Sequence, residues 1–245
     1  VEDALKNAKN EDMIVINLME VLGDHIKMEK IVEGMQESDH AHDHDHEHGE
    51  GHDHEEDHDH DHVSHHNHAD EHIWLSLKNA IILTQEIADK LSLLDPEHKD
   101  SYLSNMMAYN EKLSNLNKEY QEAVDSSNNK TLLFGDRFPF RYLADDYDLD
   151  YYAAFSGCSS ETEASFETIT FLSNKVDELE LKNVLTIEGP DRKIAETIVS
   201  NTRNKNQEIL TMNSLQSVTA EDAVNGVTYL SVMEENLKVL KESLN

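Results

Sequence analysis

Apolar positions recur along this 245-residue chain with two different periods, and the change of period divides it. From Leu77 onward Leu77, Ala80, Ile81, Thr84, Ile87, Ala88 and Leu91 follow spacings of three and four, which predicts an amphipathic helix with Ser76 as its N-cap. Asp95-Pro96 then supplies a cap and a proline at the first helical position, and Tyr102, Met106, Tyr109, Leu113, Leu116, Tyr120 and Val124 carry the helical spacing on. This second helix is expected to run for roughly 30 residues, about 45 Å at 1.5 Å per residue, with its Met and Tyr stripe turned to a core.

From Lys130 the pattern becomes alternating strands and helices. Short strands are predicted at 131–134, 151–155, 184–187 and 208–210. Helices are predicted at 138–147, at 163–179 (Phe166, Ile169, Leu172 and Val176 inward), at 191–202 (Ile194, Ile198 and Val199 inward) and at 226–244. Strands alternating with helices give an α/β lobe with a mainly parallel sheet. Nearer the start, residues 2–9 have helical composition, and Gly23-Asp24 predicts a turn. Between them the β-branched apolar run Met13-Ile14-Val15-Ile16-Asn17-Leu18 predicts a buried strand.

One stretch, Asp39 to His72, has no apolar period at all. Histidine alternates there with Asp and Glu, so the segment cannot bury enough surface to offset its ordering entropy and is expected to be a solvated loop. Neutral imidazole suits Zn(II), Ni(II) and Cu(II), and the interspersed carboxylates add oxygen ligands and a field that draws cations. The candidate metal ligands are His40, His42, His44, His46, His48, His52, His54, His58, His60, His62, His65, His66 and His68. A solubilising acidic linker or an expression tag is the bland alternative. It gives no reason for thirteen histidines, and tags are normally terminal.

Charge points the same way. With 51 acidic against 20 basic residues the formal charge is −31, which argues against nucleic acid or an anionic membrane surface as partner and for cationic cargo. The single cysteine, Cys158, excludes an intrachain disulfide and a Cys-rich zinc framework. No window is apolar enough to span a bilayer, and no signal peptide opens the chain. Val1-Glu2-Asp3-Ala4-Leu5 starts without an initiator Met, directly in a helical pattern, as a processed or truncated start does.

In an open parallel sheet, ligands bind beyond the carboxyl ends of the strands. Just past the four predicted strands stand Gly135-Asp136, Gly157-Cys158, Glu188-Gly189 and Asn213-Ser214. Asp136 and Glu188 could donate hard oxygen ligands, and Cys158 a thiolate. Equally, Asp136 could cap a helix at Phe138, Glu188 could pair with Arg137 or Arg192, and Cys158 could be a small core residue. His72 stands where order resumes, two residues before the only tryptophan, and an imidazole fixed beside a rigid aromatic is preorganised for a metal. His25 and His98 read as surface or capping residues. There is no Gly-x-Ser-x-Gly, phosphate-cradling glycine loop, His-Glu-x-x-His or CxxC, so the chain is read as a non-enzyme. A metallohydrolase with a water on an open metal position is the weakest alternative.

The order of features resembles the zinc and manganese substrate-binding proteins of ABC transporters. It comprises the acidic His-rich loop, Asp70-Glu71-His72-Ile73-Trp74-Leu75-Ser76 with Asn79-Ala80, the Asp95-Pro96 helix, and an α/β lobe carrying Phe138 and Tyr142. The resemblance implies two α/β lobes joined by a long backbone helix, with the metal in the cleft between them and the amino-terminal lobe incomplete here. On this reading 1–38 is a remnant of that lobe, 39–71 the metal-binding loop, 72–94 a helix after the cleft histidine, 95–126 the linking helix and 127–245 the second lobe. His72 takes the place of the family's cleft histidine. Gly135 stands where the family has His or Glu, with Asp136 one residue off, and the family's late carboxylate falls at Asn213-Ser214, which have none.

The resemblance further implies an extracytoplasmic, monomeric receptor that delivers Zn(II), its transported ligand, to a membrane permease, with a possible lipid anchor ahead of Val1. Zinc is favoured over manganese because imidazole-rich shells suit the softer ion, and nickel stays open. The rival is a zinc or nickel buffer or metallochaperone whose loop is itself the functional site.

Overall fold

The computed structural model describes residues 10, 13–36, 68–160, 162–189 and 191–245. Histidines 40 to 66 and the helix expected at 2–9 therefore lie outside the described residues. In chain order the helices are α1 (Leu18–Leu22), α2 (Leu77–Leu94) and α3 (Lys99–Asp125). There follow β1 (Thr131–Phe138), α4 (Arg141–Asp146), β2 (Asp150–Ser156), α5 (Phe166–Glu178), β3 (Asn183–Ile187), α6 (Lys193–Asn201), β4 (Glu208–Met212), α7 (Ala220–Val224) and α8 (Tyr229–Ser243).

The strands form one parallel sheet in the order β2-β1-β3-β4. Successive connections lead away from the β1/β3 pair in opposite directions, which makes the crevice beyond their carboxyl ends the switch point of the sheet. Alternation along β1 sorts its side chains into two layers. Leu132 and Phe134 join Leu113, Leu116, Tyr120 and Val124 of α3 and Met233, Leu237 and Leu240 of α8 on one face. Leu133 joins Ile169, Leu172 and Val176 of α5 and Ala195 and Ile198 of α6 on the other. The α/β architecture with a parallel sheet and a long helix is as expected. Only the second half of α3 is buried in this core. Its Tyr120 hydroxyl donates to the Met233 carbonyl at 2.7 Å, and its ring stacks on Tyr147.

Three expectations change. Residues 13–17 are irregular rather than a buried strand, with Met13, Ile14 and Val15 exposed. The Asn17 side chain instead accepts from the Met19 and Glu20 N–H groups and starts α1. Strand propensity alone pairs with nothing, and among the described residues no strand of a second sheet lies beside this run. On α2, Ile87 and Leu91 are exposed, because beyond Leu83 the buried face narrows to Ala88 and Ser92. Phe166, the first residue of α5, is 84% exposed and belongs to no core.

Candidate metal centre

The stretch His68–Ser76 is fixed along its length. The Glu29 N–H donates to the His68 carbonyl at 2.8 Å, and the Asp70 N–H to the Lys27 carbonyl at 2.9 Å. The Tyr142 hydroxyl donates to the Asp70 carbonyl at 2.8 Å. Ile73–Leu75 form a single 3-10 turn, after which the Ser76 hydroxyl accepts from the Asn79 N–H and starts α2 as expected. Trp74 reaches across to the far sheet edge. Its indole N–H donates to the Ser214 carbonyl at 2.9 Å, while its own carbonyl accepts from the Tyr229 hydroxyl at 2.7 Å.

His72 sits inside this frame, 5% exposed. One oxygen of Asp70, itself 2% exposed, accepts the His72 backbone N–H and faces His72 Nδ1, both at 2.8 Å. A buried carboxylate there favours the proton on Nδ1 and leaves Nε2 as the lone-pair donor, the arrangement found behind metal-ligating histidines. The Trp74 ring lies 5.5 Å from the imidazole at 60°. On the other side is Gly157, where a Cβ would come within 2.9 Å of both His72 Cε1 and the Phe138 carbonyl. The imidazole thus rests on the turn that follows β2.

Asp136 and Glu188 are occupied elsewhere. β1 runs on to Phe138, so Asp136 lies within the strand, not past it, at a register break between Phe134 and Arg137. Its oxygens accept from the Arg137 N–H at 2.8 Å and the Ile187 N–H at 3.4 Å, bridging β1 to β3, and it does not cap a helix. Burial raises its pKa, against the lowering effect of those two donors. Gly135 turns toward α6, where a Cβ would meet Ala195 Cα at 2.6 Å, so no side chain fits at that position. Glu188 pairs with neither Arg137 nor Arg192. It accepts from the Ser214 N–H (2.6 Å) and hydroxyl (2.8 Å), the Gln216 N–H (3.2 Å) and the Ser217 hydroxyl (3.2 Å), and so clamps the loop that holds Trp74. Arg192 donates to the Thr211 hydroxyl instead.

Cys158 is an exposed residue rather than a core one, and partial desolvation of its sulfur, followed by the charges of Glu29, Asp70 and Glu71, pushes its thiol up to about 11. Among the described residues no three His, Cys, Asp or Glu side chains already converge on a point that could hold a metal ion. Sequence reasoning overlooked Asp70 as the partner of His72, although an Asp two residues before a residue whose N–H it can accept is a recognisable turn signal.

A profile of the ZnuA family, the periplasmic zinc-uptake complex component A, matches residues 2–243. The chain belongs to that family. Among ZnuA-family relatives, the zinc-binding lipoprotein AdcA of Streptococcus pneumoniae is 36% identical over 179 residues, 73% of this chain and 35% of the relative. The chain thus spans about a third of the length of that protein. A manganese ABC transporter substrate-binding lipoprotein of the same species, PsaA, is 29% identical over 177 residues, 72% of this chain and 56% of the relative. The Zn(II)-bound ZnuA-like domain of S. pneumoniae AdcA superposes with a TM-score of 0.59 at 34% identity, covering 72% of this chain and 64% of that one. Among the described residues no helix is long and apolar enough to cross a membrane.

Proposed function

We propose that this chain is part of an extracytoplasmic receptor that captures Zn(II) for an ABC-type importer, with His72 as a ligand and the histidine tract as a collector of ions. The observation that carries the reading is the Asp70–His72 pair, a buried carboxylate that orients an imidazole without neutralising its second nitrogen. Membership of the ZnuA family and likeness to a Zn(II)-bound domain support zinc as cargo. So does the imidazole content, since the manganese alternative calls for mostly oxygen ligands. The permease is the partner, and the receptor acts as a monomer. Asp136 and Glu188, committed to backbone and hydroxyl donors, act as braces of the strand ends in this reading rather than as ligands. The tract contributes many weak sites near His72, which raises local ion concentration without any one site being strong.

The absence of a converged donor set among the described residues favours a second reading, a buffer in which the tract alone binds. Calorimetric zinc titration separates the two when run on the full chain and on a deletion of 39–67, each with and without His72→Ala. The receptor keeps one tight site after the deletion and loses it with His72→Ala. The buffer loses essentially all binding with the deletion, and His72→Ala then changes nothing.

A further inference from the structure

We propose that Tyr142 is a positioning residue of the His72 site: its buried hydroxyl, inserted between Lys27 and Asp70, sets where the Asp70 carboxylate meets the imidazole. The inference rests on the receptor reading above. Residues 27–29 and 68–70 lie side by side about the antiparallel Met28–Ala69 bridge, with the Asp70 N–H on the Lys27 carbonyl at 2.9 Å and the Glu29 N–H on the His68 carbonyl at 2.8 Å. In a regular ladder Lys27 and Asp70 would also exchange the reciprocal bond, from the Lys27 N–H to the Asp70 carbonyl. Here the phenol takes its place. The Lys27 N–H donates to the Tyr142 hydroxyl at 3.1 Å, and that hydroxyl donates to the Asp70 carbonyl at 2.8 Å. Both backbone polar groups of Asp70 are thus taken up in one closed ring of hydrogen bonds, and its carboxylate is left for the N–H and Nδ1 of His72.

The phenol itself is held from another part of the fold. Tyr142 lies on α4, just beyond the end of β1, is 1% exposed, and packs with Leu22 of α1, Ile73 of the 3-10 turn and Leu83 of α2. The same helix grips Lys27 a second time, because Asp145 pairs with the Lys27 ammonium at 2.8 Å. An isolated strand pair this short is marginal by itself, so its end at Asp70 takes its position from α4. Burial raises the Tyr142 phenol, against the lowering effect of the Lys27 N–H, so the hydroxyl stays protonated and can donate. Without that hydroxyl the Lys27 N–H and the Asp70 carbonyl either lose their partner or close on one another as in a regular ladder. Both courses move Asp70, and the imidazole that it orients moves with it.

The test uses the full chain with Tyr142→Phe, with His72→Ala and, as a control, with Tyr120→Phe, whose equally buried hydroxyl donates to the Met233 carbonyl in the main core. Zinc affinity is read by competition against a chelator that holds free zinc too low for weak sites to fill, and stability by urea unfolding. Tyr142→Phe is expected to weaken the tight site at least about tenfold. Tyr120→Phe is expected to lower the urea midpoint and leave zinc affinity unchanged. A merely structural hydroxyl gives another pattern: Tyr142→Phe lowers the midpoint and spares affinity, or both variants lose affinity alike, and either result overturns the assignment. Amide hydrogen exchange of the unmodified chain tests the ring even if Tyr142→Phe does not fold. The Lys27 and Asp70 amides are expected to exchange together, at least about tenfold more slowly than unprotected amides, and separate exchange at loop rates overturns the inference. If His72→Ala leaves the tight site unchanged, the receptor reading itself fails and this inference with it.

Discussion

At the scale of single residues, the chemistry of His72 is set by what touches it. Asp70 sets one oxygen against both the backbone N–H and the ring of His72, so it holds the ring in place and favours the proton on Nδ1. Asp70→Asn keeps an acceptor for the backbone but loses the charge behind Nδ1. Zinc affinity of the tract-deleted chain is expected to fall about 10–100-fold, with little change in melting temperature, in competition titrations against a chelator. Gly157→Ala tests the opposite wall. Its methyl would crowd both a side chain and a carbonyl, which cannot move together. A loss of about 1–3 kcal/mol is expected, read as a lower urea midpoint at unchanged slope. Of this pair of constraints, His72 itself was legible in the sequence from its place before Trp74. The burial of Asp70 and the closeness of Gly157 were not, since both depend on contacts made by residues far off in the chain.

At the scale of elements, legibility followed how much of the pattern was local. The helical stripes of α2, α3 and α8 and the all-apolar run of β3 repeat often enough to override any single exception. The extension of β1 through Gly135-Asp136-Arg137 was hidden, because a glycine and two charges read as a turn while the close packing of α6 on Gly135 keeps them in the sheet. The role of Glu188 was equally hidden, its partners lying 26 to 29 residues further on. That role makes a prediction for the β3–β4 edge. Removing the carboxylate in Glu188→Ala leaves the Ser214 and Gln216 N–H groups without their acceptor and frees the loop whose Ser214 carbonyl holds the Trp74 indole. Stability is expected to drop by about 2–3 kcal/mol. As the protein has one tryptophan, its emission should shift to the red as the indole N–H loses its protein partner to water.

At the scale of the whole molecule, a charge of −31 and sixteen histidines make cation uptake a function of pH. A carboxylate-rich chain attracts divalent ions over the full physiological range, but a protonated imidazole cannot ligate and adds a positive charge that opposes the next ion. A free imidazole titrates at about 6.5, so ligation by the tract is expected above that value and is lost as pH falls through it. The intact chain is therefore expected to bind several more zinc ions than the 39–67 deletion at about pH 7.5, and the excess should vanish by about pH 5.5, one unit below the imidazole value. Equilibrium dialysis with zinc counted per chain measures that difference directly. Any binding outside residues 39–67 is common to both chains and cancels in the subtraction, so the excess reports that segment alone. An excess that survived in acid would mean that carboxylates rather than imidazoles hold the extra ions, and the tract would then act as a general acidic attractor with no preference for zinc.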